Sequence, residues 1–154
     1  MADKIHIEPF MIIGVCVRTT NENSKSSDDL MQLWQQFFVK NITALIDNKV
    51  DDSIYSIYTD YDTDFRSGYT AMIGHKVSSI QQPPFGLVAR EFAGGDYLLF
   101  KAKGEMPAKV IETWRQIWAN DDELNRQYST DFEVYKNEDP TTENKEVDIF
   151  IAVK

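Results

Sequence analysis

Two kinds of side chain in this 154-residue sequence could carry chemistry: isolated thiol or imidazole groups, and carboxylates set among aromatic rings. Cys16 is the only cysteine and lies between Val15 and Val17, so neither a disulfide framework nor a thiolate zinc site can form. An apolar run also gives that thiol none of the basic neighbours a nucleophile needs. His6 and His75 are the only histidines, and neither has a second histidine or a carboxylate three or four residues away on a helix. No metal site and no cofactor are expected. The carboxylates of Asp131-Phe132-Glu133-Val134-Tyr135 are more informative, because alternate strand residues face opposite ways. Phe132 and Val134 are expected to pack under a helix, which turns Asp131, Glu133 and Tyr135 to the other face. On the last strand Ile149, Ile151 and Val153 take the helix side and leave Phe150 opposite, so Glu133 is expected beside Tyr135 and Phe150. Burying a carboxylate there without a partner costs several kcal/mol, or drives protonation. An organic cation would supply the missing charge and apolar surface, with cation–π contacts worth about 0.5–2 kcal/mol each. The alternative reading is a solvent-facing strand residue, one of 25 acids.

Two helices and several strands must position these groups. Leu30, Trp34, Phe37, Phe38, Ile42 and Leu45 recur at three- and four-residue intervals and predict a helix over residues 28–46. Val110, Trp114, Ile117 and Trp118 predict a second one after Pro107, a residue tolerated in a first helical turn. Residues 5–18 read as one bent strand or two short ones around Pro9 and Gly14. Further strands are expected at 53–58, 69–77, 87–92, 97–103, 131–135 and 146–153, with breaks at 81–84 and in the polar loop around Pro140.

The order of elements repeats. Trp34-Gln35-Gln36-Phe37-Phe38 aligns with Trp114-Arg115-Gln116-Ile117-Trp118, and each helix is followed by an apolar strand ending in tyrosine, Tyr58 or Tyr135. One domain over residues 1–154 is expected, with βαββ repeats at about 1–80 and 85–154. The fold class is α+β: duplicated βαββ units forming a pseudo-twofold antiparallel sheet with two main helices. A cleft between the halves is a natural ligand site. Ser56, Tyr58, Thr70 and Met72 are the first-half counterparts of the second-half site, so Ser56 stands where the other half has a carboxylate. Tyr58, Met72 and Tyr97 join Glu133, Tyr135, Phe150 and Trp114 as candidate ligand-binding residues, although tryptophan on a helical stripe is more often core.

Composition narrows the function. The net charge is −9, from 25 acidic and 16 basic residues, and the basic ones are scattered, so direct nucleic-acid binding is not expected. No stretch approaches the roughly 18 apolar residues of a membrane span, and residues 1–7 lack a targeting pattern, which predicts a cytoplasmic protein.

Several stretches resemble the GyrI-like effector-binding family, shared by the gyrase-inhibitory protein, the C-terminal part of some AraC-type activators and multidrug-sensing MerR-type regulators. Gly104-Glu105-Met106-Pro107 through Trp118 is similar to the branch that includes integron-associated effector-binding proteins, as is Thr130-Asp131-Phe132-Glu133-Val134-Tyr135. Asp148 to Lys154 resembles the closing strand, and Gly68-Tyr69 with Ile73-Gly74 the last strand of the first half. Ala93 and Ala152 depart from the proline many members carry there. The resemblance implies a GyrI-like, SHS2-type fold and Glu133 as ligand anchor. It further implies a stand-alone binder of a small, cationic or aromatic effector, without a cofactor. Hydrolysis of a reactive natural product through Glu133, or action on a regulatory protein partner, are the alternatives it leaves.

Overall fold

β-Branched and aromatic residues alternate through most of the strands, and the helices form where apolar residues recur on one stripe. In the computed structural model, which describes residues 3–22, 25–80, 83–105, 107–136 and 145–154, the chain begins with β1 (Asp3–Ile7) and β2 (Phe10–Thr20). Then come α1 (Lys25–Val39), the single turn α2 (Ile42–Leu45), β3 (Ile54–Thr59) and β4 (Gly68–Val77). The second half contains β5 (Val88–Phe92), β6 (Gly95–Gly104), α3 (Ala108–Ala119), the short α4 (Asp121–Leu124), β7 (Thr130–Tyr135) and β8 (Lys145–Ala152). Gln81, Gln82, Met106 and the expected loop around Pro140 lie outside the described residues.

One sequence expectation is corrected. The helix expected over 28–46 stops at Val39, because Asn41 adopts a left-handed conformation (φ 49°) that asparagine tolerates and a helix does not continue through. Residues 5–18 form two strands that do not pair with each other: β1 pairs with β6, and β2 with β4 and β5.

All eight strands form one antiparallel sheet in the order β1-β6-β8-β7-β3-β4-β2-β5. Read from either end, this order gives the same roles. Each half supplies a βαββ unit, and the strand preceding it crosses to the far edge of the other half. The pseudo-twofold falls between β3 and β7, where Ser56 lies directly opposite Glu133.

Both main helices pack on one face of the sheet. Leu33 and Phe37 of α1 cover Ile13, Val15, Ala71 and Ile73, while Val110 and Ile117 of α3 cover Ala102, Val147, Ile149 and Ile151. The other face carries no helix, yet Ile12, Ile57, Met72 and Phe132 are at most 3% exposed there. Curvature explains this. Phe10 on β2 and Phe132 on β7 are three strand spacings apart, about 14 Å on a flat sheet, but their ring centroids lie 5.1 Å apart. The sheet therefore curls around its own helix-free face, and both faces of its central strands are core.

Within that curl β2 and β4 approach closely at Gly14 and Gly74, which are register partners. A Cβ on Gly74 would lie 2.2 Å from the carbonyl oxygen of Ile13. Gly74→Ala should therefore cost about 1–3 kcal/mol as the strands are forced apart, read as a lower urea midpoint; an unchanged midpoint would show that the backbones separate freely.

Candidate functional site

The central strands β3 and β7 form the floor of a cleft whose walls are α1 and α3. Its volume is about 740 Å³. Trp34 of α1 meets Tyr135 edge-on at 5.2 Å, and Trp114 of α3 meets Tyr58 edge-on at 5.5 Å. Each helix thus places its tryptophan against the tyrosine of the other half, the reciprocal pairing a twofold generates. The loop between β3 and β4 adds Tyr61 and Phe65, whose ring stacks on Trp118 at 5.6 Å.

Aromatic surroundings are symmetric; charge is not. Glu133 is 2% exposed and lines the cleft. Its Oε2 accepts hydrogen bonds from the Trp114 indole N–H at 2.5 Å and the Tyr58 hydroxyl at 3.0 Å, while Oε1 accepts one from the Tyr135 hydroxyl. Ser56, at the pseudo-equivalent position and fully buried, donates to the Tyr58 oxygen at 3.2 Å. Burial raises the Glu133 carboxyl above the usual range, against the opposing effect of the three hydrogen bonds from Tyr135, Trp114 and Tyr58. Tyr58 and Tyr135 are pushed up by burial first and the Glu133 charge second, so both hydroxyls keep their protons and remain donors.

Asp131, two residues earlier on β7, is a buried carboxylate with a counter-charge, although burial raises its carboxyl as well. It is also fully buried, but it accepts from the Arg126 guanidinium at 2.7 Å, the Tyr61 hydroxyl at 2.6 Å and the Ala152 backbone N–H at 2.8 Å. Arg126 is shared with Asp121 at 3.1 Å. No arginine or lysine among the described residues forms an ion pair with Glu133; Arg115, which also lines the cleft, is exposed. Glu133 is thus a buried carboxylate with neutral donors and, among the described residues, no counter-charge.

Of the residues singled out in the sequence, the structure brings Glu133, Tyr135, Trp114 and Tyr58 together around the cleft. Phe150, Met72 and Tyr97 are corrected: they lie on the opposite, helix-free face, with Phe150 stacked on Phe132 at 4.7 Å. The expected faces of β7 are reversed, because Glu133 pairs with Ile149 and faces the helices while Phe132 and Val134 enter the curled core. With both faces buried, apolar alternation cannot tell which set meets a helix. Trp34 was accessible as the repeat equivalent of Trp114. Tyr61 and Phe65 had no signal, since they sit in an irregular loop.

Fold and site together define an effector-binding domain: a twofold α+β sheet whose two helices enclose an aromatic cleft around one carboxylate. The chain belongs to the family described as Cass2, integron-associated effector binding protein, whose model matches residues 5–153. It is 25% identical to YobU of Bacillus subtilis (strain 168), a proposed transcriptional regulator, over 97% of this chain and 95% of that protein. A crystal structure of an integron cassette protein from the mobile metagenome of Vibrio cholerae is 30% identical, with a TM-score of 0.75 over 99% of this chain and 95% of that one. The structure of SAV2435 bound to tetraphenylphosphonium shares the fold at 18% identity, with a TM-score of 0.82 over 100% of this chain and 94% of that one. The chain is accordingly related to the ligand-binding domains of transcription regulators. No helix among the described residues is long and apolar enough to cross a membrane.

The carboxylate's burial has a consequence for stability. Glu133 holds its proton more tightly folded than unfolded, so it contributes stability that is fully present below the ordinary carboxylate range. That contribution is lost as pH rises through the folded value. A glutamine can keep all three contacts, its oxygen accepting from Trp114 and Tyr58 and its amide donating to the Tyr135 oxygen. Without ligand, Glu133→Gln should therefore raise stability near neutral pH by about 1–3 kcal/mol. The gain should shrink on acidification, as thermal unfolding across pH would show; a destabilised variant at neutral pH would contradict the assignment of an uncompensated charge.

Proposed function

We propose that this protein binds an amphipathic organic cation in the aromatic cleft, with Glu133 as its counter-charge and Trp114, Tyr58 and Tyr135 as the surrounding contacts. The observation that carries this reading is the contrast between two buried carboxylates on β7: Asp131 has a guanidinium and Glu133 has none. A ligand that brings a positive charge and apolar surface satisfies the carboxylate and the rings together. The tetraphenylphosphonium in the SAV2435 structure, a lipophilic cation held by a protein of the same fold, supports that chemical class.

In this reading the protein acts in the cytoplasm as a sensor or sequestering protein for its ligand. A net charge of −9 disfavours direct contact between this domain and nucleic acid, and an effect on transcription through a regulatory protein partner fits that balance. No observation favours the hydrolase alternative, since the groups that meet Glu133 are an indole and two phenols that keep their protons.

Calorimetric titration with tetraphenylphosphonium tests the anchor. Glu133→Gln keeps the shape of the cleft and should weaken binding by about 2–5 kcal/mol, because the ligand's charge would be buried unpaired. Equal affinity in the parent and the variant would remove Glu133 from the binding reading.

A further inference from the structure

With no ligand in the cleft, the cost of burying Glu133 still has to be met. The groups facing it can be followed element by element. From β3 come Ser56 and Tyr58, from β4 Tyr69, from β7 Tyr135, from β8 the apolar Ile149, and from α3 Trp114. The remaining charges near the cleft are committed elsewhere or face solvent. Asp131 and Arg126 bond to each other, Asp29 of α1 accepts from Thr19, and Arg115 is exposed. Every direct partner of Glu133 among the described residues is therefore neutral, and neutral donors offset only part of the desolvation of a carboxylate.

Resting on the cation-binding reading above, we propose that a proton occupies Glu133 in the empty cleft and that an entering cation displaces it, so that ligand binding is coupled to proton release. The geometry permits both states. A hydroxyl can donate and accept, so Tyr58 and Tyr135 donate to the carboxylate when it is ionised, and either can turn to accept from the carboxylic acid when it is not. On ligand entry the Glu133 O–H bond breaks, the proton passes to water, and the electron pair stays on the carboxylate facing the cation. The exchange is one proton out for one positive charge in, which keeps the net charge of the cleft constant. The raised affinity of Glu133 for its proton fits this exchange, since burial is its largest cause.

Proton linkage gives the site a dependence on pH that the ligand's own charge cannot supply. For a permanent cation, affinity should fall as pH drops below the range where the empty site ionises, approaching tenfold per pH unit. A neutral ligand of the same shape gains nothing from ionisation and should not weaken on acidification.

Titrating the intact chain with tetraphenylphosphonium between about pH 5 and pH 8 tests the proposal, in buffers of different ionisation enthalpy, with neutral triphenylphosphine oxide as comparison. The expected result is tighter phosphonium binding at higher pH, a binding enthalpy that varies with the buffer through the proton released, and neither behaviour in Glu133→Gln. Parent affinity that is flat with pH and enthalpy that is independent of buffer, alongside weakened binding by Glu133→Gln, would overturn the proton exchange and leave the cation reading standing. Phosphonium binding that Glu133→Gln leaves intact would overturn both. Equal pH dependence for the neutral oxide would assign the effect to another group and overturn the exchange.

Discussion

The desolvation of Glu133 is the constraint around which the site is organised. A carboxylate only 2% exposed cannot be left to hydrophobic packing, and the fold meets the demand with three donors from three elements, β3, α3 and β7. These donors fix the carboxylate's position but bring no positive charge. The result is a group held in place and electrostatically incomplete. That condition favours ligand recognition and is costly to the empty protein.

The pseudo-twofold supplies the rest of the site almost without specialisation. Trp34 with Tyr135 and Trp114 with Tyr58 are reciprocal pairs, so one repeated contact builds both aromatic walls. The symmetry breaks at the register pair of Ser56 and Glu133. Ser56 still takes part, because its hydroxyl donates to Tyr58, leaving the Tyr58 proton for Glu133. Two residues away, Asp131 is completed by Arg126 and Tyr61 and ties β7 to the end of β8 through the Ala152 N–H. The same chemical group thus closes the structure at one position and lacks a charged partner at the next position on the same face.

Such a site depends on a rigid floor. The central strands are held by helices on one face and by the curled aromatic core on the other, where Phe10, Phe132 and Phe150 meet. Crossing of β1 and β5 to the far edges joins the halves at both rims of the sheet as well as at its centre. Close packing resists small displacements, so the distances around Glu133 are set by contacts well beyond the cleft.

Much of this was legible from the residues alone. The repeated tryptophan helices and tyrosine-ended strands gave the duplication, and aligning the repeats made Ser56 the counterpart of a carboxylate, an asymmetry between the halves. The family resemblance singled out Glu133 as the candidate anchor, and the repeat alignment made Trp34 the equivalent of Trp114 and Tyr58 that of Tyr135. The tertiary structure decided which way the strands faced. A period of two separates residues into two sets, but when both faces are buried it cannot say which one meets the helices. Phe150, Met72 and Tyr97 were accordingly expected in the cleft and lie in the curled core. Only folding settled which of two neighbouring carboxylates would find a guanidinium and which would not. Arg126 stands between α4 and β7, five residues before Asp131, in an irregular segment whose path no local pattern encodes, and Tyr61 and Phe65 reach the cleft on an irregular loop. Local periodicity fixes which elements form; the partners of a buried charge depend on where distant elements come to rest.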